Sequence, residues 1–372
     1  MHTEVLIIGA SVAGLSTAAA LQKRGIPYTL IEKADRVGAP WHRHYHRLHL
    51  HTPKGFSNLP FKKFPGSTPR YPSRQQVIDY LEDYRRTFNI DPVFHTEALE
   101  TTRQQDHWHT VTNNGEYRSK YLVMATGRYN TPKQIDLEGE ETFPGTIIHS
   151  SQFRTALDFR NQTVLVVGFG NSACEIALDL LEQGATPLMS VRSPVNIVPR
   201  DIAGIPILAL SYLLDPLPPR IADTLSKPLT HGLIGNLSRL GLRRKPYGPL
   251  EDIRLFGIPP VLDIGTIKQI RKGQIRVHPG IDHIENNTVV FTDGSHRSVD
   301  TIITAVGYLC SFSPLRFVDP ARIVDLDRPA SRQRYFGADG LYFCGYWISP
   351  TGQFRSIASD ALRIAKHIAE KK

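Results

Sequence analysis

The chain has 372 residues, 41% of them hydrophobic and 21% charged, which is room for two packed domains and excludes a disordered chain. Its formal net charge of +9 suits phosphate-bearing ligands, but the basic residues lie scattered, without the dense stripe or aromatic ladder of a nucleic-acid binder. No apolar run reaches the roughly 18 residues of a membrane span, no basic signal region opens the chain, and the three distant cysteines, Cys174, Cys310 and Cys344, argue for a reducing cytoplasm and against a disulfide framework.

The chain begins with a β-forming run, Val5 to Ile8, then the turn Gly9-Ala10-Ser11-Val12-Ala13-Gly14, then an Ala/Leu-rich helix from Leu15 to Lys23. A second apolar run, Tyr28 to Ile31, ends at Glu32. Strand, glycine turn, helix, strand and acid form one βαβ dinucleotide unit. Gly9 permits the tight turn, the helix N-terminus offers N–H groups to a pyrophosphate, and Glu32 accepts from ribose hydroxyls. Ser11 stands where the fingerprint has its second glycine, so some room is lost there. These features predict FAD on this turn, through Gly9, Ser11, Gly14 and Glu32.

The run from His42 to His51 carries five histidines, His42, His44, His46, His49 and His51. Arginine and aromatic neighbours crowd it and no acid or cysteine lies close, so no metal site is expected. Ser73 to Gln76 reads as a capping box opening a helix with Val77, Leu81, Tyr84 and Phe88 on one face. Asn113-Asn114-Gly115 signals a hairpin. Tyr121 to Ala125 reads as a buried strand ending at Thr126-Gly127.

The dinucleotide syntax recurs about 160 residues on. Thr163 to Val167 is the strand, Gly168-Phe169-Gly170-Asn171-Ser172-Ala173 the turn, Glu175 to Glu182 the helix and Leu188 to Val191 the next strand. No acid ends that strand; Arg192 follows instead. A guanidinium there binds a 2′-phosphate that a carboxylate repels. Gly168, Gly170, Asn171, Ser172 and Arg192 therefore predict NADPH rather than NADH.

The segment from Ile202 to Leu262 holds nine prolines and many leucines and reads as the wall of a substrate cavity. Arg243, Arg244, Lys245 and Arg254 lie in or beside it, and one of them pairing with a substrate carboxylate is the expectation for Arg243, Arg244 and Arg254. Thr301 to Ala305 is another buried strand, ending at Val306-Gly307-Tyr308. Ile357 to Ala369 reads as an amphipathic helix. The fold class is α/β, with two Rossmann-like units and the second inserted into the first. The expected division is 1–152 with 306–372 for FAD and 153–305 for NADPH.

The stretch Phe143 to Phe153 resembles the F-x-G-x-x-x-H-x-x-x-[YF] fingerprint of flavin-containing monooxygenases, at Phe143, Gly145, His149 and Phe153. Within that family the chain is most similar to the YUCCA-type enzymes and their bacterial relatives. The matching words include Leu50-His51-Thr52-Pro53-Lys54, Tyr71-Pro72, Gly248-Pro249-Leu250-Glu251 and Pro260 to Thr266. The chain departs from the pattern at Ser11, at His46 and around Ser349 to Gln353. The resemblance implies further FAD contacts from Lys33, Trp41, His51, Thr126 and Gly127. It also implies a C4a-(hydro)peroxyflavin that oxygenates a small organic substrate, such as indole-3-pyruvate by oxidative decarboxylation. Heteroatom oxygenation and Baeyer–Villiger chemistry are the alternatives within the family. A non-enzymatic flavin sensor is a third reading, and a disulfide reductase fails for want of a C-x-x-C pair. His149 is expected to set the junction of the two units rather than to act as a general base.

Overall fold

The computed structural model describes residues 1–315 and 336–371. Two sheets organise it. The first contains β1 (His2–Ile8), β2 (Tyr28–Ile31), β3 (Ala98–Gln104), β4 (His107–Thr112) and β5 (Gly115–Met124), in the order β2-β1-β5-β4-β3. β1 runs parallel to β2 and β5. The β4–β5 hairpin turns at Asn113-Asn114, with Thr112 opposite Gly115 as the sequence predicts.

The second sheet is wholly parallel. It takes β6 (Thr146–His149), β7 (Thr163–Val167), β8 (Thr186–Ser190), β9 (Arg276–His278) and β10 (Thr301–Thr304), in the order β9-β8-β7-β10-β6. A late strand, β11 (Leu341–Phe343), returns the chain to the first sheet beside β5. The central parallel strands carry unbroken apolar runs, Val5 to Ile8 in β1 and Val164 to Val167 in β7, as strands covered on both faces do. β6 pairs with β10 from Thr146 to His149. The second unit therefore begins ahead of Thr146, and the expected boundary at 153 falls too late.

The two glycine turns open helices α1 (Val12–Gln22) and α3 (Asn171–Glu182). α1 is buried along nearly its whole length, sandwiched between the first sheet and the C-terminal helix α7 (Gln353–Glu370). Between α1 and α3, α2 (Arg74–Thr87) starts at a reciprocal capping box, with Ser73 Oγ accepting from Gln76 N–H and the Gln76 side chain accepting from Ser73 N–H. Val77, Leu81 and Tyr84 face the core, and Phe88 ends the helix. α7 begins at Gln353, ahead of the expected Ile357. The Pro/Leu-rich segment from 202 to 262 makes three α-helices, α4 (Ile207–Leu214), α5 (Pro219–Ile234) and α6 (Pro249–Phe256). The Pro/Leu-rich segment is thus largely helical.

The fingerprint stretch is a packed joint. Phe143 belongs to the core on one face of the second sheet and Phe153 to the core on the other. Gly145 has no room for a side chain. A Cβ there would lie 2.2 Å from Asp300 O and 2.7 Å from the Phe143 ring. Gly145→Ala should therefore cost about 2 kcal/mol or more of stability through forced displacement of β6 from β10. Thermal unfolding measures this, and an unchanged midpoint would show that the joint yields.

Candidate functional site

The ends of the central parallel strands carry the site, as the geometry of open α/β sheets requires. At the first turn, Gly9 has φ +104 and a Cβ there would meet Ala125 O at 2.8 Å; one at Gly14 would meet Gly9 O at 1.8 Å. Both glycines let the helix pack onto the turn. Ser11 is different. Its φ of −106 and ψ of −154 are ordinary extended backbone, so the position asks for a small residue and not for glycine. Its side chain makes no capping bond, and the first N–H groups of α1 are left to a ligand.

Glu32 is buried beside this turn. Its carboxylate accepts from Ala10 N–H at 2.7 Å and Ala34 N–H at 3.0 Å. Two backbone donors fix its orientation and leave lone pairs for hydroxyl groups. Thr126 Oγ1 and Tyr346 OH lie 2.5 Å apart, and Gly127, φ +84, has nothing within 4 Å of where a Cβ would stand. Open space over backbone at Gly127, just beyond the C-terminal end of β5 and beside the Gly9 turn, suits a dinucleotide. Trp41 packs edge-on against His44 and Phe354, with centroids 5.5 and 5.7 Å apart. Lys33 is solvent-facing and pairs with Glu97 at 3.3 Å.

The second turn repeats the design. A Cβ on Gly168 would lie 2.6 Å from Ala305 O, whereas Gly170 has nothing within 4 Å. Asn171 is spoken for within the protein. Its amide Nδ2 donates to Pro260 O at 3.2 Å and its Oδ1 accepts from Leu262 N–H at 2.8 Å. It clamps the Pro260 loop over the start of α3 rather than presenting a free amide. Beyond β8, Arg192 is exposed and lies along Gly280. Arg243 Nη2 donates to Arg192 O at 2.5 Å. Two guanidinium-bearing residues thus meet at the strand end.

Two residues that sequence reasoning missed join the units here. Glu175 sits in α3, only 2% exposed. His51 Nε2 meets its Oε1, and the Tyr45 hydroxyl lies between Ser172 and Glu175. Burial and the Glu175 charge push the Tyr45 phenol well above its usual range. Two turns further on, Arg47 makes a two-pronged pair with Glu182, at 2.9 and 2.7 Å. His51, expected at the flavin, therefore spends its ring on the second unit. The only sequence signal for Glu175 is an acid among the apolar residues of the first turns of α3.

A cavity of about 240 Å³ lies where the units meet. Its walls come from His51 and Thr52 of the first unit, Asn171 at the second turn, Leu208, Leu210 and Leu214 of α4, Leu250 and Ile253 of α6, and Ile348 to Gln353 ahead of and into α7. The Pro/Leu-rich segment forms most of this wall, and the divergent stretch around Ser349 closes it. Arg243, Arg244 and Arg254 do not line it. Arg243 points to Arg192; Arg244 donates to Gly235 O at 3.0 Å; Arg254 pairs with the Asp215 carboxylate at 2.9 Å and donates to Leu217 O at 3.3 Å. Sequence proximity alone linked them to a substrate, and each is held by a local oxygen. Asp223, also missed, explains the Gly248-Pro249-Leu250-Glu251 word. Its carboxylate accepts from Leu250 N–H at 3.0 Å and Glu251 N–H at 2.8 Å, capping α6. A Cβ on Gly248 would strike it at 2.2 Å.

No group of three or more metal-ligating side chains occurs among the described residues. Cys174 and Cys344 are buried in separate cores, and burial pushes both thiols up.

The paired turns and the crossed chain path define a flavoprotein class with two dinucleotide folds. A profile of the pyridine nucleotide-disulphide oxidoreductase family matches residues 6–199. The chain is 40% identical to the probable indole-3-pyruvate monooxygenase YUCCA4 of Arabidopsis thaliana, over 98% of this chain and 90% of that protein. It is 36% identical to the indole-3-pyruvate monooxygenase YUCCA1 of Oryza sativa subsp. japonica, again over 98% and 90%. A flavin-containing monooxygenase from Stenotrophomonas maltophilia shares the fold, with a TM-score of 0.73 at 17% identity over 100% of this chain and 99% of that one. The open form of cyclohexanone monooxygenase does so with a TM-score of 0.74 at 16%, over 100% and 88%. The chain belongs to the YUCCA-type flavin monooxygenases. It is a flavin-dependent monooxygenase that also uses a nicotinamide cofactor.

His149 ties the second unit to the returning chain. Its Nδ1 accepts from Ser151 N–H at 3.1 Å, and its Nε2 lies 3.1 Å from Gly307 O, which assigns the proton to Nε2. Burial holds its pKa below the ordinary 6.5. The folded state thus favours the neutral ring. The stability it contributes is complete above that value and is lost as pH falls below it. His149→Gln should lower the unfolding midpoint near pH 7 and show a shallower decline toward about pH 5, with flavin reduction retained. Parallel pH profiles for the two proteins would reject this role.

Proposed function

We propose that the enzyme binds FAD on the Gly9 turn and NADPH on the Gly168 turn, and converts an aromatic 2-oxo acid such as indole-3-pyruvate to the corresponding acetic acid. The overall change consumes one 2-oxo acid, NADPH, a proton and O₂. It yields the shortened acid, CO₂, water and NADP⁺. The observation that carries the reading is the apolar cavity between the two turns, in a chain whose relatives bear the name indole-3-pyruvate monooxygenase over nearly their whole length.

Bound FAD, once reduced by the nicotinamide, supplies the activation of O₂. The protein supplies place and dryness. The turn from Gly9 to Gly14 and the N-terminus of α1 receive the FAD pyrophosphate, and Glu32 receives its ribose. Gly168 and Gly170 let the second pyrophosphate approach α3. Arg192 and Arg243 together form the 2′-phosphate pocket. Leucine side chains of α4 and α6 keep bulk water from the reacting centre and accept a flat aromatic ring. No guanidinium lines the wall among the described residues, and the positive end of the 18-residue α7, entering at Gly352 and Gln353, provides the favourable potential for an anion.

Arg192→Ala removes a charge-assisted phosphate contact worth about 1.5–3 kcal/mol, roughly a ten- to hundred-fold loss in NADPH affinity. NADH should be almost unaffected. Equal losses for both cofactors in steady-state titrations would remove Arg192 from the 2′-phosphate site.

The substrate is tested by giving the enzyme NADPH and O₂ with indole-3-pyruvate, phenylpyruvate or a simple sulfide. CO₂ release with formation of the acetic acid is expected from the oxo acids. Sulfoxide formation with no CO₂ from either oxo acid would replace this reading with heteroatom oxygenation.

A further inference from the structure

We propose that the outer face of α4, α5 and α6 docks on the surface of a lipid bilayer rich in anionic headgroups, with the protein lying on the membrane. No helix among the described residues is long and apolar enough to cross one.

The observation is an inverted helix. A surface helix normally turns its apolar stripe to the core. α5 does the opposite. Ile221, Leu225, Leu229 and Leu233 recur every fourth residue on its outer side, each between 42% and 61% exposed. Its inner side holds Asp223, Ser226 and Thr230, buried together with Ala222 and Ile234. Asp223 caps α6, and Ser226 and Thr230 face the cavity. The inward polarity thus has its uses, and among the described residues the outward leucines are left exposed. Tyr212 and Leu213 of α4 and Leu255, Phe256 and Ile258 at the end of α6 are exposed as well. More than half of the large exposed apolar residues among the described ones fall between positions 205 and 258. A concentration of this kind marks an interaction surface.

Charge selects the occupant. Every acid of the segment is neutralised within the protein. Asp215 pairs with Arg254, Glu251 with Arg220 and Asp252 with Lys245, while Asp223 accepts backbone N–H groups. Lys227 and Arg239 are exposed, and no carboxylate among the described residues pairs with either. Arg355 stacks on Tyr212 at 4.6 Å. The face is therefore apolar with an uncompensated cationic margin. An anionic bilayer satisfies both parts: leucines enter the acyl boundary, Tyr212 sits at headgroup level and the cations meet phosphate. A second copy of the chain related by a two-fold axis would bring the same cationic margin against itself.

The test is co-sedimentation of the holoenzyme with vesicles of phosphatidylcholine alone or mixed with phosphatidylglycerol. The protein should pellet with the mixed vesicles, far less with the neutral ones, and be released by salt. The double variant Leu225→Asn/Leu229→Asn should lose about ten-fold or more in bound fraction. Its flavin content and its activity in vesicle-free solution should be unchanged, since neither leucine lines the cavity. If that variant fails to fold, Lys227→Glu/Arg239→Glu leaves the stripe intact and must still weaken binding to the mixed vesicles. Wild-type protein remaining in the supernatant with both vesicle types would overturn the proposal. So would sedimentation velocity showing a dimer that these substitutions dissociate.

Discussion

A carboxylate taken out of water must find its partners in the protein, and Glu175 finds them across the boundary between the two units. Leaving a buried charge unpaired costs several kcal/mol, so His51 and Tyr45 of the first unit are drawn onto α3 of the second. The Arg47–Glu182 pair repeats the attachment two turns of helix further on. These contacts set the distance between the two glycine turns. The cavity is the space that this distance leaves, and its lining follows from whichever segments reach that space.

The same economy governs the turns themselves. Gly9 and Gly168 are glycines because a carbonyl from a neighbouring strand end approaches within van der Waals distance. The second-glycine position of each turn has extended backbone, and a Cβ on Gly170 would meet nothing within 4 Å. Extended backbone is open to any residue, so the conformation at position 11 does not demand glycine. The flavin monooxygenase fingerprint has a parallel explanation. Phe143, Gly145, His149 and Phe153 hold the strand that pairs with β10 and the loop that returns to the first sheet. They pack the joint between the units.

The helices over the cavity show how one element meets two demands. Ser226, Thr230 and Asp223 of α5 turn inward, toward the cavity and the N-terminus of α6. With its polar residues committed there, α5 carries its leucines on the outside. The inversion is invisible to a count of hydrophobic residues, because the periodicity is intact and only its direction differs.

The sequence by itself determined the two dinucleotide units, the capping box at Ser73, the hairpin at Asn113 and the insertion of one unit in the other. These depend on neighbours within a few residues, where periodicity and turn chemistry operate. The role of the Ile202–Leu262 segment as cavity wall was also legible, from its composition. Tertiary structure alone decided which side chains meet. Arg243 left the substrate for the side of Arg192, Arg254 went to Asp215, Asn171 to the Pro260 loop and His51 to Glu175. Long polar side chains bind whichever unsatisfied oxygen or nitrogen folding brings within reach. Those partners lie up to 124 positions away along the chain, a separation over which sequence spacing carries no geometry.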